Sequence, residues 1–157
     1  MIKPYEKIIQ LFKDDSIYYQ EFEHEPVYTI EQMEKASNAT KDSSIKTMMV
    51  KQNDNFVLIV MSGRDKFDNK KIKILLGVKE VRLASPEDVR HVMNCEVGAC
   101  HPFGELCGLN TYIDKKVLDQ KKVSINPAVH NKTIEFSLDN FLKISKYEIA
   151  DISKDLK

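Results

Sequence analysis

Ile45-Lys46-Thr47-Met48-Met49-Val50-Lys51 and Phe56-Val57-Leu58-Ile59-Val60-Met61, separated by Gln52-Asn53-Asp54-Asn55, decide the fold. Both runs are β-prone, and the residues between them are turn formers, so the segment predicts two strands joined by a polar turn. The second run is apolar on both alternating faces, which places it centrally in a sheet. Lys46 is a charge out of keeping with its neighbours in the first run. The strand pattern alone predicts that it points to solvent on the polar side.

Working outward towards the N-terminus, Tyr5, Ile8, Ile9 and Phe12 share one face at helical spacing, which predicts a helix over residues 3–14. Ser16–Glu23 reads as a strand with β-prone aromatics, interrupted by His24-Glu25-Pro26. Thr29 and Gln32 have capping-box spacing and predict a helix near residues 30–37. Towards the C-terminus, Asp68 caps a helix through Leu76 with Gly77 just past its end, and Val81–Ala84 is a short strand. Ser85-Pro86-Glu87-Asp88 combines an N-cap, a proline at the first helical position and early acids, starting a helix to about Met93.

The stretch Gly98–Gly108 holds three of the five glycines and reads as a constrained loop. Strands follow near 110–113, 123–126 and 133–136, then a helix capped by Ser137 and a last strand near 148–152. There is no internal repeat, low-complexity tract or linker. The expectation is one α+β domain over residues 1–157.

Composition excludes several classes. The chain is 42% hydrophobic and 31% charged, and its 24 Lys+Arg balance 24 Asp+Glu, so it is neither disordered nor a bulk electrostatic nucleic-acid binder. RNA contact must come from a local basic face. Candidates are Lys66, Lys70, Lys71, Lys73 and Lys79, with Lys115, Lys116, Lys121 and Lys122 as a second set; solvated faces are the plainer reading of both. The amphipathic, acid-bearing stretch from Met1 to Asp15 is unlike a signal or transit peptide, and no apolar run is long enough to span a bilayer. Three crowded cysteines, Cys95, Cys100 and Cys107, fit a reduced, cytoplasmic setting.

Chemistry is chosen partly by elimination. Cys95, Cys100, His101 and Cys107 have no CxxC spacing, so zinc is poorly supported, although a nucleophilic pairing such as Cys100 with His130 stays open. No GxSxG, P-loop or GxGxxG occurs. The loop Gly98-x-x-x-Pro102 reads either as a tight structural turn or as a backbone amide exposed for binding an anion or carbonyl.

Six segments occur in order: His24-Glu25-Pro26-Val27-Tyr28-Thr29, Ile45-Lys46-Thr47-Met48-Met49-Val50, Phe67-Asp68-Asn69-Lys70-Lys71-Ile72-Lys73, Leu83-Ala84-Ser85-Pro86-Glu87, Gly98-Ala99-Cys100-His101-Pro102-Phe103-Gly104 and Asn126-Pro127-Ala128-Val129-His130-Asn131-Lys132-Thr133. Together, from about Phe22 to Ile152, the chain resembles the YbaK/prolyl-tRNA synthetase-associated editing domain family.

The resemblance implies a mixed, barrel-like curled β-sheet flanked by helices. It also implies an aminoacyl-tRNA deacylase acting on the 3′ aminoacyl end of a mischarged tRNA, with an aminoacyl-tRNA synthetase as a further candidate partner. Lys46 matches a lysine that anchors the terminal adenosine and its phosphate. Gly98 matches a glycine whose N–H meets the aminoacyl carbonyl. Water, helped by a ribose hydroxyl, then attacks the ester without cofactor or metal. Phe22, Tyr28, Thr47, Pro102, Asn126, His130 and Thr133 are the residues assigned to substrate binding. His130 resembles a histidine of alanine-editing members, which points to alanine, then cysteine, on tRNA specific for proline. Two rival readings remain: a non-catalytic tRNA- or synthetase-binding module of the same fold, and a thiol- or metal-dependent enzyme.

Overall fold

In the computed structural model, which describes residues 2–36 and 43–155, the decisive segment is a hairpin. Strands β2 (Ile45–Gln52) and β3 (Asn55–Ser62) pair antiparallel without interruption, from Ile45↔Ser62 to Gln52↔Asn55. The expected four-residue turn tightens to Asn53-Asp54, with Asn53 at φ 54°, because a two-residue hairpin loop needs a residue that tolerates the left-handed region.

The remaining elements are α1 (Pro4–Asp14), β1 (Gln20–Glu23), α2 (Ile30–Ala36), α3 (Asn69–Leu76), β4 (Arg82–Leu83), α4 (Pro86–Met93), β5 (Asn110–Asp114), β6 (Lys122–Ile125), β7 (Lys132–Ser137), α5 (Leu138–Ile144) and β8 (Glu148–Ala150). Ser37, the expected last residue of α2, lies outside the described residues. The helix starts follow their sequence signals. Asp68 accepts from the N–H groups of Lys70 and Lys71, Ser85 and Asp88 form a reciprocal capping box, and Ser137 caps α5 through Asn140 N–H.

The fold is α+β, with one difference from the expected barrel-like curl. Hydrogen bonding divides the described strands into two sheets, ordered β1-β7-β6 and β4-β2-β3-β5-β8, and neither closes on itself. They meet where Ser44 bridges to Ser124, with the Ser124 N–H donating to Ser43 O at 2.9 Å and Gln120 Nε2 donating to the same oxygen at 3.1 Å. β3 is central in the larger sheet, antiparallel to β2 and parallel to β5, and its residues from Val57 to Ser62 are buried.

α1 closes the other side of the core. Ile8 and Phe12 are fully buried, and Phe12 meets Phe136 edge-on at 4.9 Å between ring centroids and Phe103 at 6.1 Å. Each such side chain contributes about 2–3 kcal/mol by leaving water. That packing also shortens β1. Ile17 N–H donates to Phe12 O at 2.8 Å and Tyr19 stacks against Phe12 at 4.8 Å, so residues 16–19 serve the helix end and not the sheet. The Gly98–Gly108 loop likewise contains a short 3-10 helix, Gly104–Cys107.

Two buried polar groups fix the chain around this core. Asp114 accepts from Ile152 N–H at 2.9 Å, Ser153 N–H at 3.3 Å and Ser153 Oγ at 2.7 Å, which ties the C-terminal segment to β5. His101 is fully buried, its Nδ1 accepting from Phe103 N–H at 3.1 Å and its Nε2 lying 3.7 Å from Cys107 Sγ. Burial, with Lys7 adding a smaller effect, pushes the His101 imidazole down to about 4.

That depression carries a sign. The unfolded chain takes up a proton near pH 6.5 and the folded chain only near 4, so stability is full above about 6.5 and falls as pH drops towards 4. The expected loss from this residue is about 3 kcal/mol. Urea denaturation over that range should show His101→Gln losing less stability on acidification than the wild type, whatever its stability at pH 7.

Candidate active site

The loops at the junction of the two sheets enclose a pocket of about 140 Å³, lined by Tyr28, Thr29, Met33, Ile45, Lys46, Thr47, Gly98, Cys100 and Asn126. Five residues singled out from the sequence for catalysis or binding therefore share it: Lys46, Gly98, Tyr28, Thr47 and Asn126. A larger pocket of about 560 Å³, between Lys51, Asn53 and the Gly77–Arg82 stretch, lies apart from these residues, and its Arg82 is already paired with Glu80 at 3.1 Å. The smaller pocket suits a small group and not a bulky ligand.

Lys46 does not point freely to solvent, as the strand pattern predicted. Strand alternation puts it on the face of Met48 and Val50. Both of these join the apolar cluster of Ile59, Met61, Ile72 and Leu76, with Phe67 packed beside it. The half-buried side chain passes the edge of that cluster, where its Nζ lies 5.6 Å from the Phe67 ring centroid and donates a hydrogen bond to the main-chain oxygen of Asp65. Burial lowers the Lys46 pKa from the ordinary lysine value. The charges of Asp65 and Glu31 oppose that shift and Lys66 adds to it.

Gly98 is held by its neighbours. Ala99 N–H donates to Glu96 O at 3.0 Å, closing a turn whose third residue is Gly98 at φ +91°, a conformation natural to glycine. Asn126 Nδ2 donates to Gly98 O at 2.9 Å, which fixes the loop against the end of β6. The Gly98 N–H donates to no acceptor among the described residues. A Cβ placed there would lie 3.5 Å from His130 Nε2 and 3.6 Å from Tyr28 O, so the obstacle to a side chain is the backbone angle and not a collision.

His130 does not itself line the pocket but packs against two residues that do, Tyr28 and Gly98. Its ring meets Tyr28 edge-on at 4.3 Å, and its Nε2 lies 3.2 Å from Val97 O. Val27 N–H donates to His130 O at 2.7 Å and His24 N–H to Asn131 O at 3.0 Å, lacing the Tyr28 segment to the β6–β7 turn. Phe22, Pro102 and Thr133, also expected among the substrate contacts, do not line this pocket. Phe22 and Thr133 are paired across β1 and β7, Thr133 is fully buried with Oγ1 2.9 Å from His24 Nε2, and Pro102 is buried beyond the turn.

Met33, Thr29 and Ile45 were not singled out from the sequence as site residues. Met33 carried no signal beyond an apolar position on α2. Cys100 enters the pocket wall, but His130 is directed to Val97 O. Cys100 acts instead on its neighbour Cys95: Cys100 and burial together hold Cys95 protonated, while Cys95 lowers the Cys100 thiol against the opposing effect of burial. Burial pushes Cys107 up to about 11. Among the described residues no three His, Cys, Asp or Glu side chains converge as metal ligands, and no helix is long and apolar enough to cross a membrane.

The expected basic face is partly consumed by internal pairing. Lys71 donates to Asp151 at 2.9 Å, Asp155 at 2.7 Å and Ser153 O at 2.8 Å, and Lys116 donates to Lys154 O at 2.6 Å.

The chain is similar to known proteins. Prolyl-tRNA editing protein ProX of Acetoanaerobium sticklandii is 27% identical over 145 residues, covering 88% of each chain. A proline–tRNA ligase of a Geobacillus strain is 36% identical over 76 residues; the match takes in 48% of this chain and only 13% of the ligase. A crystal structure described as a trans-editing enzyme candidate for prolyl tRNA synthetase superposes with a TM-score of 0.83 at 18% identity, covering 99% of both chains, and so shares the fold. The described pocket residues from Tyr28 to Asn126 all fall within the stretch, residues 24–144, that matches the model of the aminoacyl-tRNA editing domain, and the chain belongs to that family.

Proposed function

We propose that this chain is a deacylase acting in trans in the cytoplasm, hydrolysing the ester between a wrongly attached amino acid and the 3′ end of tRNA specific for proline. Alanine is the first expected amino acid and cysteine the second. The observation that carries this reading is that Lys46 and Gly98 line one small pocket, where the Gly98 N–H finds no acceptor among the described residues. Family membership and the likeness to a prolyl-tRNA editing protein support it.

In this reading Lys46 holds the terminal phosphate and adenosine, so that the ester carbonyl lies against Gly98. Water, relayed through a ribose hydroxyl, adds to the carbonyl carbon, and the oxygen that gains charge accepts from the Gly98 amide. The bond to the ribose oxygen then breaks, that oxygen takes the proton, and the free amino acid leaves. A fixed amide donor aimed at a developing oxyanion needs no reorganisation at the moment of reaction. Asn126 contributes by holding Gly98 through its carbonyl oxygen, and Tyr28, backed by His130, walls the side-chain end of the pocket.

Mischarged-tRNA hydrolysis assays on the purified protein test the assignment. Lys46→Ala should abolish deacylation with circular dichroism unchanged, because a substrate displaced by about an ångström can lose on the order of a hundredfold in rate. Gly98→Ala should lower turnover by roughly tenfold or more, approaching the hundred- to thousandfold of a lost oxyanion donor, with a smaller effect on tRNA binding. A folded Lys46→Ala protein at wild-type rate would overturn the reading, and tRNA binding without any hydrolysis would favour a binding module.

Activity should also survive a chelator and the Cys100→Ser substitution, since the proposed chemistry passes through the substrate's own hydroxyl. Loss in chelator with recovery on zinc, or loss in a folded Cys100→Ser protein, would redirect the mechanism to metal or thiol. His130→Ala should relax the preference for alanyl over larger aminoacyl esters while alanyl hydrolysis continues. Equal slowing of every ester would instead give His130 a structural or catalytic role.

A further inference from the structure

The turn that leaves β3 carries a carboxylate with no evident structural task. Asp65 is 4% exposed, and its Oδ2 is buried without accepting a hydrogen bond among the described residues. The backbone places it by two contacts: Gly63 N–H donates to Ser44 O at 2.8 Å, and Asp65 N–H donates back to Ser62 O at 3.1 Å. Both contacts belong to the base of the β2–β3 hairpin, whose register sets Lys46 opposite Met61. Hairpin and turn thus bring Asp65 to the Lys46 ammonium, which donates to the Asp65 main-chain oxygen.

We propose that Asp65 is a positioning residue for Lys46: its main-chain oxygen fixes where the ammonium sits, and its carboxylate keeps that ammonium charged in a partly desolvated place. This rests on the deacylase reading for its catalytic meaning. A buried carboxylate is costly unless a cation compensates it, and a half-buried lysine tends to shed its proton unless an anion holds it. Each group supplies what the other lacks.

The groups facing Lys46 divide by element. Burial favours the neutral amine, Lys66 from the same turn works in the same direction, and Asp65 and Glu31 oppose both, the latter from α2. Asp65 precedes Glu31 in its effect, and it also touches the ammonium through its backbone. Neutralising Asp65 leaves the main-chain hydrogen bond available but removes the larger opposing charge, which separates a role in tuning the charge from one in shaping the loop.

The test is the titration of Lys46, followed by NMR of its side-chain ε-methylene in the full chain. In Asp65→Asn its midpoint should fall by roughly one unit or more, while Asp65→Glu, which keeps the charge, should stay nearer to wild type. Glu31→Gln should move it less than Asp65→Asn. The alkaline limb of the deacylation pH profile should move down with the midpoint.

An unchanged Lys46 midpoint in folded Asp65→Asn would overturn the proposal. If Asp65→Asn does not fold, urea denaturation of Lys46→Met and of Lys46→Met/Asp65→Asn decides: the double variant, with no unpaired charge left, should be the more stable. A less stable double variant would make Asp65 a purely structural residue. A wild-type chain that deacylates no mischarged tRNA would sink the deacylase reading and leave the titration to judge the pairing of Lys46 with Asp65.

Discussion

The antiparallel ladder between β2 and β3 sets the depth at which Lys46 is presented, and most of the site follows from that depth. β3 is buried along nearly its whole length, so it cannot shift against the core without exposing a row of side chains. β2 is locked to it residue by residue, with Lys46 opposite Met61 at the end of the hairpin away from the tight turn. The position is therefore partly dry, yet within reach of a pocket. A lysine one residue along would leave on the other face of the sheet.

The second sheet depends on the same hairpin. The segment entering β2 crosses to β6 through Ser43, Ser44 and Ser124, so the end of β6 that carries Asn126 is delivered beside the strand that carries Lys46. From there Asn126 holds the oxygen of Gly98, and the β6–β7 turn holds the segment bearing Tyr28. Four separate stretches of chain converge there, tied to one another by hydrogen bonds to main-chain atoms. Such a site is rigid where its scaffold is buried and accessible where Gly98 and Tyr28 are exposed.

Burial, and not residue type, decides how the histidine of the cysteine-rich loop behaves. His101 reads as a candidate ligand or base in sequence, but a fully buried imidazole accepting from a backbone amide is a packing element that stays neutral. Cys107 is beside it, and Cys95 lies in the apolar cluster with Met49, Leu58 and Val89. Cys100 alone of the three reaches the pocket wall.

Local signals were enough to place most elements. Capping at Asp68, Ser85 and Ser137, the glycine after α3, and the two periodicities of α1 and β3 are properties of neighbouring residues, so the sequence by itself determined them. The family resemblance of the six ordered motifs points to Lys46, Gly98, Tyr28, Thr47 and Asn126. Tertiary structure decided the rest. It divided the expected curled sheet in two, withdrew Phe22, Pro102 and Thr133 from the pocket wall, tied up Lys71 in ion pairs, and brought Asp65 to Lys46. None of these could be read locally, because each depends on contacts between residues far apart in the chain: Lys71 with Asp151, Thr133 with His24, Lys46 with Asp65. Periodicity reports which face of an element is buried, but what covers that face is chosen only when the sheets close over the core.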